Sequence, residues 1–254
     1  MPADAAIAVP AIAAPTAPDA WLRDRRFFTG MALAAMLTVF AGFAPSYYLK
    51  TVFGRPGVSG EPTLSPLLHV HGLVFTSWLV LFLVQTRLVA ARRLAVHRRL
   101  GYAALLVAVA MVAIGFAAAV DAARRGASPP GGPPPLVFLV IPLSDLVVFA
   151  GLVGAAVWYR RRGDVHKRLM LLSTISILTP AIARLPGVVA GGPLVFFALT
   201  DLFAVVCLVY DRVTRGRVHP AFWWGAGLLL ASQMGRLAVA GTSAWLALAT
   251  WLTR

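Results

Sequence analysis

LVFLVIPLSDLVVFAGLVGAAVWYRRRGDVHKRL, residues 136–169, decides the fold. Between Leu136 and Tyr159 it carries a single charged residue, Asp145, and then breaks into Arg160, Arg161 and Arg162. An apolar run of this length suits an α-helix crossing a bilayer core, which needs about 20 residues. The arginine run that closes it is what the positive-inside rule places on the cytoplasmic side.

Working outward, the same alternation of charge-free run and basic connector recurs. Phe27–Leu49 supplies a first span. Ser65 and Pro66 form an N-cap with proline at the first helical position, opening a second span to Thr86. Leu100–Val120 is the third and Leu136–Tyr159 the fourth, kinked at Pro142. Leu169–Val189, Pro193–Tyr210 and Ala221–Ala240 complete seven. Between the third and fourth, Ser128–Pro135 (SPPGGPPP) reads as an extended connector. Gly241 interrupts the last run, and Thr242–Leu252, with Trp245 and Trp251, either lies at the interface or prolongs the seventh helix. Residues 1–22, rich in Ala and Pro, read as a flexible tail rather than a signal peptide, because this stretch comes before the first basic cluster, whereas a signal peptide carries its positive charge ahead of its apolar segment. The transmembrane domain is then 23–254. Overall, 59% of residues are hydrophobic and 13% charged, against about 25% charged in soluble domains.

The net charge of +14 raises nucleic acid as a partner, but the basic residues are scattered over short connectors rather than gathered on one face. Arg23, Arg25 and Arg26 precede the first span. Arg87, Arg92, Arg93, Arg98 and Arg99 follow the second. Arg160, Arg161, Arg162, Lys167 and Arg168 follow the fourth, and Arg212, Arg215 and Arg217 the sixth, sixteen on one side in all. The other side holds five: Lys50, Arg55, Arg124, Arg125 and Arg254. This asymmetry puts the N-terminus in the cytoplasm and, with an odd number of spans, the C-terminus on the exported side. Topology accounts for the charge, so the expected partner is the lipid bilayer and not nucleic acid. Cys207 is the single cysteine, which rules out an intrachain disulfide or a CxxC pair.

A weak repeat runs through the basic connectors: RRLAVHRRL (92–100), RRGDVHKRL (161–169) and TRGRVHPAF (214–222) each reach Val-His as the next helix begins. On the other side His71, Asp145 and Asp201 hold similar places in the second, fourth and sixth spans. The even spans therefore look related, each making a hairpin with the odd span that follows.

Four charges fall inside spans: Asp145, Arg184, Asp201 and Arg236. At a helix centre each costs about 2.5–3.5 kcal/mol unless paired or hydrated. Counting 1.5 Å per residue places both aspartates roughly 12–14 Å deep, near the midplane. Both arginines sit nearer the exported ends, so an Asp–Arg network in the exported half is expected. A stripe of Ser173, Ser176, Pro180 and Arg184 on one face of the fifth span leads toward it. The plain alternative is that these charges only lock helices together, as small hydroxyl residues also do.

His69 and His71 suggest a shared ligand, but residues two apart on a helix point about 200° from each other. One of the two is expected to face the bundle and join the Asp–Arg network, where an imidazole suits a proton relay. His97, His166 and His219 lie at the basic boundary. They are either interfacial polar residues or ligands, three holding a metal or two holding a b-type haem. No HExxH, Walker or nucleophile-elbow pattern accompanies them, and the seventh span lacks the lysine a retinal Schiff base needs.

The segments HVHGLVFTSW (69–78), VHRRLGY (96–102) and VHKRLML (165–171), with RLPG (184–187) and SQMGRLAVAG (232–241), resemble a loose group of seven-helix bacterial inner-membrane proteins of unassigned function. The resemblance covers the chain from about Trp21 onward and implies architecture and location, not an activity. A fainter similarity links the histidines to haem bundles of the cytochrome b561 type, where histidines on several helices face one another near both membrane surfaces. The exported side here departs from that pattern, with only His69 and His71 on one helix. The leading expectation is a non-enzymatic membrane protein that binds or passes a proton or small solute at Asp145, Asp201, Arg184, Arg236 and one of His69 or His71. Its rivals are a redox protein carrying haem or a metal, and a scaffold.

Overall fold

In a computed structural model, residues 17–53, 64–129 and 132–254 are described, and among them every regular element is helical. Helix α1 runs Ala17–Phe43 and passes into a π-turn, Ala44–Tyr48, closed by Leu49 N–H donating to Ala44 O at 2.8 Å. The tail expected over residues 1–22 is thus already helical from Ala17; residues 1–16 lie outside the described residues. After short α2 (Lys50–Phe53), α3 runs Pro66–Ala90 with the expected start: Leu68 N–H donates to Ser65 Oγ at 3.4 Å, and Pro66 has no amide to leave unpaired. Helix α4 spans Leu94–Arg124.

Proline sets the next two interruptions. Pro142 cannot donate to Phe138 O and crowds it, so the fourth span divides into α5 (Pro135–Phe138) and α6 (Val140–Trp158) at Leu139. Pro135, assigned from sequence to an extended connector, begins α5; Pro130 and Gly131 of that connector lie outside the described residues. Pro180 acts in the same way on Ser176 O. The fifth span is therefore not one helix: α7 (Gly163–Ser176) stops there, and α8 (Thr179–Ile182) is a single turn before the chain winds through Arg184–Val188. Helix α9 runs Gly192–Arg215 and ends at Gly216 with φ 70°, a left-handed cap that suits glycine. Helix α10 (Pro220–Val239) follows. Helix α11 (Ser243–Leu252) is capped by Thr242 Oγ1, which accepts from Trp245 N–H at 3.3 Å, so Gly241 precedes a separate helix and not a prolongation.

Among the described residues, five helices are long and apolar enough to cross a membrane: Ala20–Tyr48, Pro66–Ala90, Leu94–Arg124, Pro135–Trp158 and Gly192–Arg215. Three sequential hairpins, α3–α4, α6–α7 and α9–α10, pack together, with α1 against α3, α7 and α8. Short α7 lies at the centre; Leu171, Leu172, Ser173, Thr174 and Ile175 are all fully buried. Close approach marks two of the contacts: a Cβ at Gly225 on α10 would strike Leu172 on α7, and one at Gly42 on α1 would strike the Ala181 backbone on α8. Large aliphatic side chains instead face outward on the longer helices, among them Leu37, Leu73, Leu106, Val147 and Val213. A belt of that kind would be an aggregation surface in water and is at home in lipid.

Candidate functional site

Two polar layers cross the bundle. The first joins α6, α9 and α10. Asp145, buried on α6, accepts from Arg236 Nη1 on α10 at 2.5 Å; both side chains are nearly inaccessible. Arg236 is steered there by its own helix, since Nε donates to Ser232 O at 3.3 Å and Nη2 to Ser232 Oγ at 2.9 Å. The guanidinium lies over the Phe197 ring at 5.3 Å, a contact that favours a cation with little water around it. Three residues earlier on the same face of α10, Gln233 donates Nε2 to Asp201 Oδ1 on α9 at 2.9 Å. Among the described residues, this layer leaves two buried acceptors without a donor, Asp145 Oδ2 and Gln233 Oε1.

The four charges expected from sequence to lie inside spans do not form one network. Asp145 meets Arg236, Asp201 meets Gln233, and Arg184 stands apart. Arg184 Nη1 donates to Pro180 O at 2.6 Å, its guanidinium lies 4.5 Å from the Phe43 ring centroid on α1, and its Nε has no partner among the described residues. His71 stacks on Phe75 at 4.1 Å with Nδ1 buried and without a partner among the described residues, while exposed His69 accepts at its backbone carbonyl from Tyr47 Oη (3.2 Å) and sets its ring 6.1 Å from the Tyr47 ring. Of that pair, His71 is the interior residue. The Ser173–Ser176 stripe leads nowhere polar, because Ser173 Oγ donates to Met170 O and Ser176 Oγ to Ser173 O, each at 2.8 Å.

The second layer, at the basic end of the bundle, is one that sequence reasoning missed. Arg168, buried on α7, grips Asp211 on α9 with two parallel bonds: Nε to Oδ2 at 2.9 Å and Nη2 to Oδ1 at 2.6 Å. Asp211 also accepts from Arg215 Nε and from the His219 backbone N–H, both at 3.1 Å. Arg215 reaches on with Nη2 to both oxygens of Asp24 on α1 at 2.7 Å, where Tyr210 Oη (2.5 Å) and Lys167 Nζ also donate. Burial draws Lys167 below its ordinary value, and the Asp24 carboxylate opposes that. His219 caps α10 by accepting Ala221 N–H at Nδ1 (3.1 Å) and places Nε2 3.0 Å from Asp164 Oδ2. That hydrogen bond holds the Asp164 carboxyl below its usual range. Four helices, α1, α7, α9 and α10, are tied here with every carboxylate engaged. One readable signal was Asp211 four residues before Arg215 on one helix face.

The three boundary histidines separate into a pair and a single. The rings of His97 (α4) and His166 (α7) lie 6.3 Å apart at 80°. His166 Nδ1 is 2.8 Å from Ala156 O, and His97 Nδ1 is buried without a partner. His219 is committed to Asp164 and to capping α10, and among the described residues no three His, Cys, Asp or Glu side chains are placed to share an ion. Beside His219 opens a cleft of ≈ 930 Å³ between the α6–α7 and α9–α10 connectors. No family model, curated protein or solved structure matches the chain.

Proposed function

We propose that the protein is a seven-span membrane protein of the bacterial inner membrane, N-terminus cytoplasmic and C-terminus exported, that binds or passes a proton or small solute at the α6–α9–α10 layer. The unpaired pair of acceptors, Asp145 Oδ2 and Gln233 Oε1, carries this reading. A buried acceptor left empty costs about 1–3 kcal/mol, and what fills it must be a donor: a proton, a water, or the N–H or O–H of a solute. A purely structural ion pair has no need to leave it open. Arg236 and Asp201 complete the site, with Arg184 and His71 on the neighbouring α1–α3–α8 side. The seven spans comprise the five long helices, α10, and the broken α7–α8 segment, whose burial at the centre excuses it from being long and uniformly apolar. The asymmetry of basic residues supports the orientation.

Proteoliposomes loaded with a pH-sensitive dye test the activity. An imposed proton gradient is expected to collapse through the native protein and to persist at least ten-fold longer with Asp145→Asn. Equal collapse with native and variant protein would refute the assignment. A phosphatase fused after Arg254 is expected to be active outside the cytoplasm, and a silent fusion would overturn the topology.

The His97–His166 pair favours a second reading, a membrane redox protein. Two imidazoles with ring centroids 6.3 Å apart are near enough to serve one iron, and a carbonyl on His166 Nδ1 is the usual partner of a ligating imidazole. The visible spectrum of the purified protein decides: a Soret band abolished by His166→Ala supports haem, and a colourless sample eliminates it.

A further inference from the structure

The cleft beside His219 is independent of the Asp145 layer, and its lining has an excess of one charge. Arg162, Arg168, Arg215, Arg217 and His219 contribute to its wall, against Asp164 as the single lining acid. Arg168 and Arg215 are neutralised by Asp211 and Asp24, and Asp164 is engaged by His219. Arg162 and Arg217 remain: both are exposed, and neither makes an ion pair with the described residues. Arg162 is held near the Tyr159 ring (5.9 Å) and Arg217 follows the Gly216 turn, so the two cations come from different connectors into one concavity.

The concavity also has an apolar lip. Trp224 lines it and is 82% exposed, and Trp158, 80% exposed, ends α6. Outward tryptophans at helix ends mark the level of lipid headgroups, and the exposed aliphatic face of α6 continues from there through Val147. A volume of ≈ 930 Å³ exceeds what a lone ion needs and falls within the range of sites for drug-sized ligands. Guanidinium groups recognise phosphate oxygens by paired N–H donors, and basic pockets between membrane helices suit anionic headgroups. We propose that this cleft binds the phosphate of an anionic phospholipid, with Arg162 and Arg217 as its ligands and Trp224 against the glycerol and acyl region.

The test is a lipid titration of the full-length protein in detergent, read by native mass spectrometry, with phosphatidylglycerol, phosphatidylcholine and inorganic phosphate as probes. Phosphatidylglycerol is expected to bind at least ten-fold more tightly than phosphatidylcholine. Arg162→Gln with Arg217→Gln is expected to lose roughly 10- to 30-fold of that affinity, as two juxtamembrane cations should. Both residues are exposed, so the variant keeps its fold, and an unchanged melting temperature confirms it. Asp164→Asn, which removes the lining acid but keeps an acceptor for His219, is expected to tighten binding by several-fold. Equal binding of the two lipids, or an unaltered affinity in the double arginine variant, overturns the proposal. Displacement of phosphatidylglycerol by millimolar inorganic phosphate, with phosphate alone binding as tightly, would reassign the cleft to a free anion and refute the lipid.

Discussion

Asp211→Asn is expected to be among the most destabilising conservative changes in this chain, and worse than removing its partner. The side chains of Arg168 and Asp211 are 1% and 0% accessible. With asparagine in place, the guanidinium keeps its charge, because arginine does not deprotonate in proteins, and faces no anion: it retains Asp164 O at 2.8 Å and at most the single amide oxygen, while the new NH2 opposes it. An uncompensated buried charge of this kind costs about 3–5 kcal/mol. Arg168→Met leaves Asp211 better provided, since Arg215 Nε and the His219 N–H still donate to it. Its expected cost is about 2–3 kcal/mol, the worth of charged hydrogen bonds together with some desolvation. The double variant removes both charges while asparagine still accepts from His219, so it should be more stable than Asp211→Asn alone by at least about 1 kcal/mol. Melting of the detergent-solubilised protein reads all three, at roughly 2–4 °C per kcal/mol for a chain of this size. Asp211→Asn within a degree of the native protein, or a double variant no better than the single, would show that the pair is not a buried charge lock.

Three other expectations follow from single contacts. Gly42→Ala sets a methyl against the Ala181 backbone, which cannot swing away; a loss of about 1–3 kcal/mol is expected, and an unshifted melting temperature would deny the α1–α8 contact. Tyr210→Phe keeps the stack on Phe27 (3.7 Å) but loses the hydroxyl on Asp24. It should cost about 1.5–3 kcal/mol, and Tyr210→Ala should cost more by melting; equal losses would mean the ring adds nothing. The depressed Asp164 carboxyl contributes stability above its unfolded value near 3.8 that is lost as pH falls through the lower folded value. The melting difference between native protein and Asp164→Asn should therefore begin to narrow as pH falls below the unfolded value near 3.8, and a difference that grows on acidification would contradict this.

What could be read from the sequence follows the physics of each signal. Apolar runs reported the long helices because lipid demands them, and Pro142 located its own break. Pro180 carried the same information about Ser176, but it was absorbed into a polar stripe whose hydroxyls turn out to bond their own helix. Asp145 and Arg236 were found because a charge in an apolar run stands out. Their pairing, and the separation of Arg184 from both aspartates, depended on helix order, which no periodicity encodes. The Asp24–Asp164–Asp211 layer was hidden for the opposite reason: each acid sits among arginines, where counting charge for topology treats the whole cluster as solvated. The Val-His repeat was visible, but its register was not. His97 and His166 both fall at the fourth residue of α4 and α7, whereas Pro220 delays α10 so that His219 becomes its cap.

The two polar layers differ in a way that assigns them different work. At the basic end every carboxylate is engaged, two of them by several donors from other helices, so the layer is a clamp with little left for a ligand to gain. In the α6–α10 layer two buried acceptors, Asp145 Oδ2 and Gln233 Oε1, have no donor among the described residues: Arg236 donates to Ser232, Ile141 O and one oxygen of Asp145, and Gln233 faces Asp201 with its amide nitrogen. Rotating Gln233 by 180° would satisfy neither side, because its carbonyl would then oppose a carboxylate. Among the described residues nothing supplies the missing hydrogen, and on the proposed reading it arrives from outside the chain. Supplying that hydrogen from within tests the point: Gln233→Lys, a donor without an acceptor, should suppress any proton or solute traffic while leaving the fold intact.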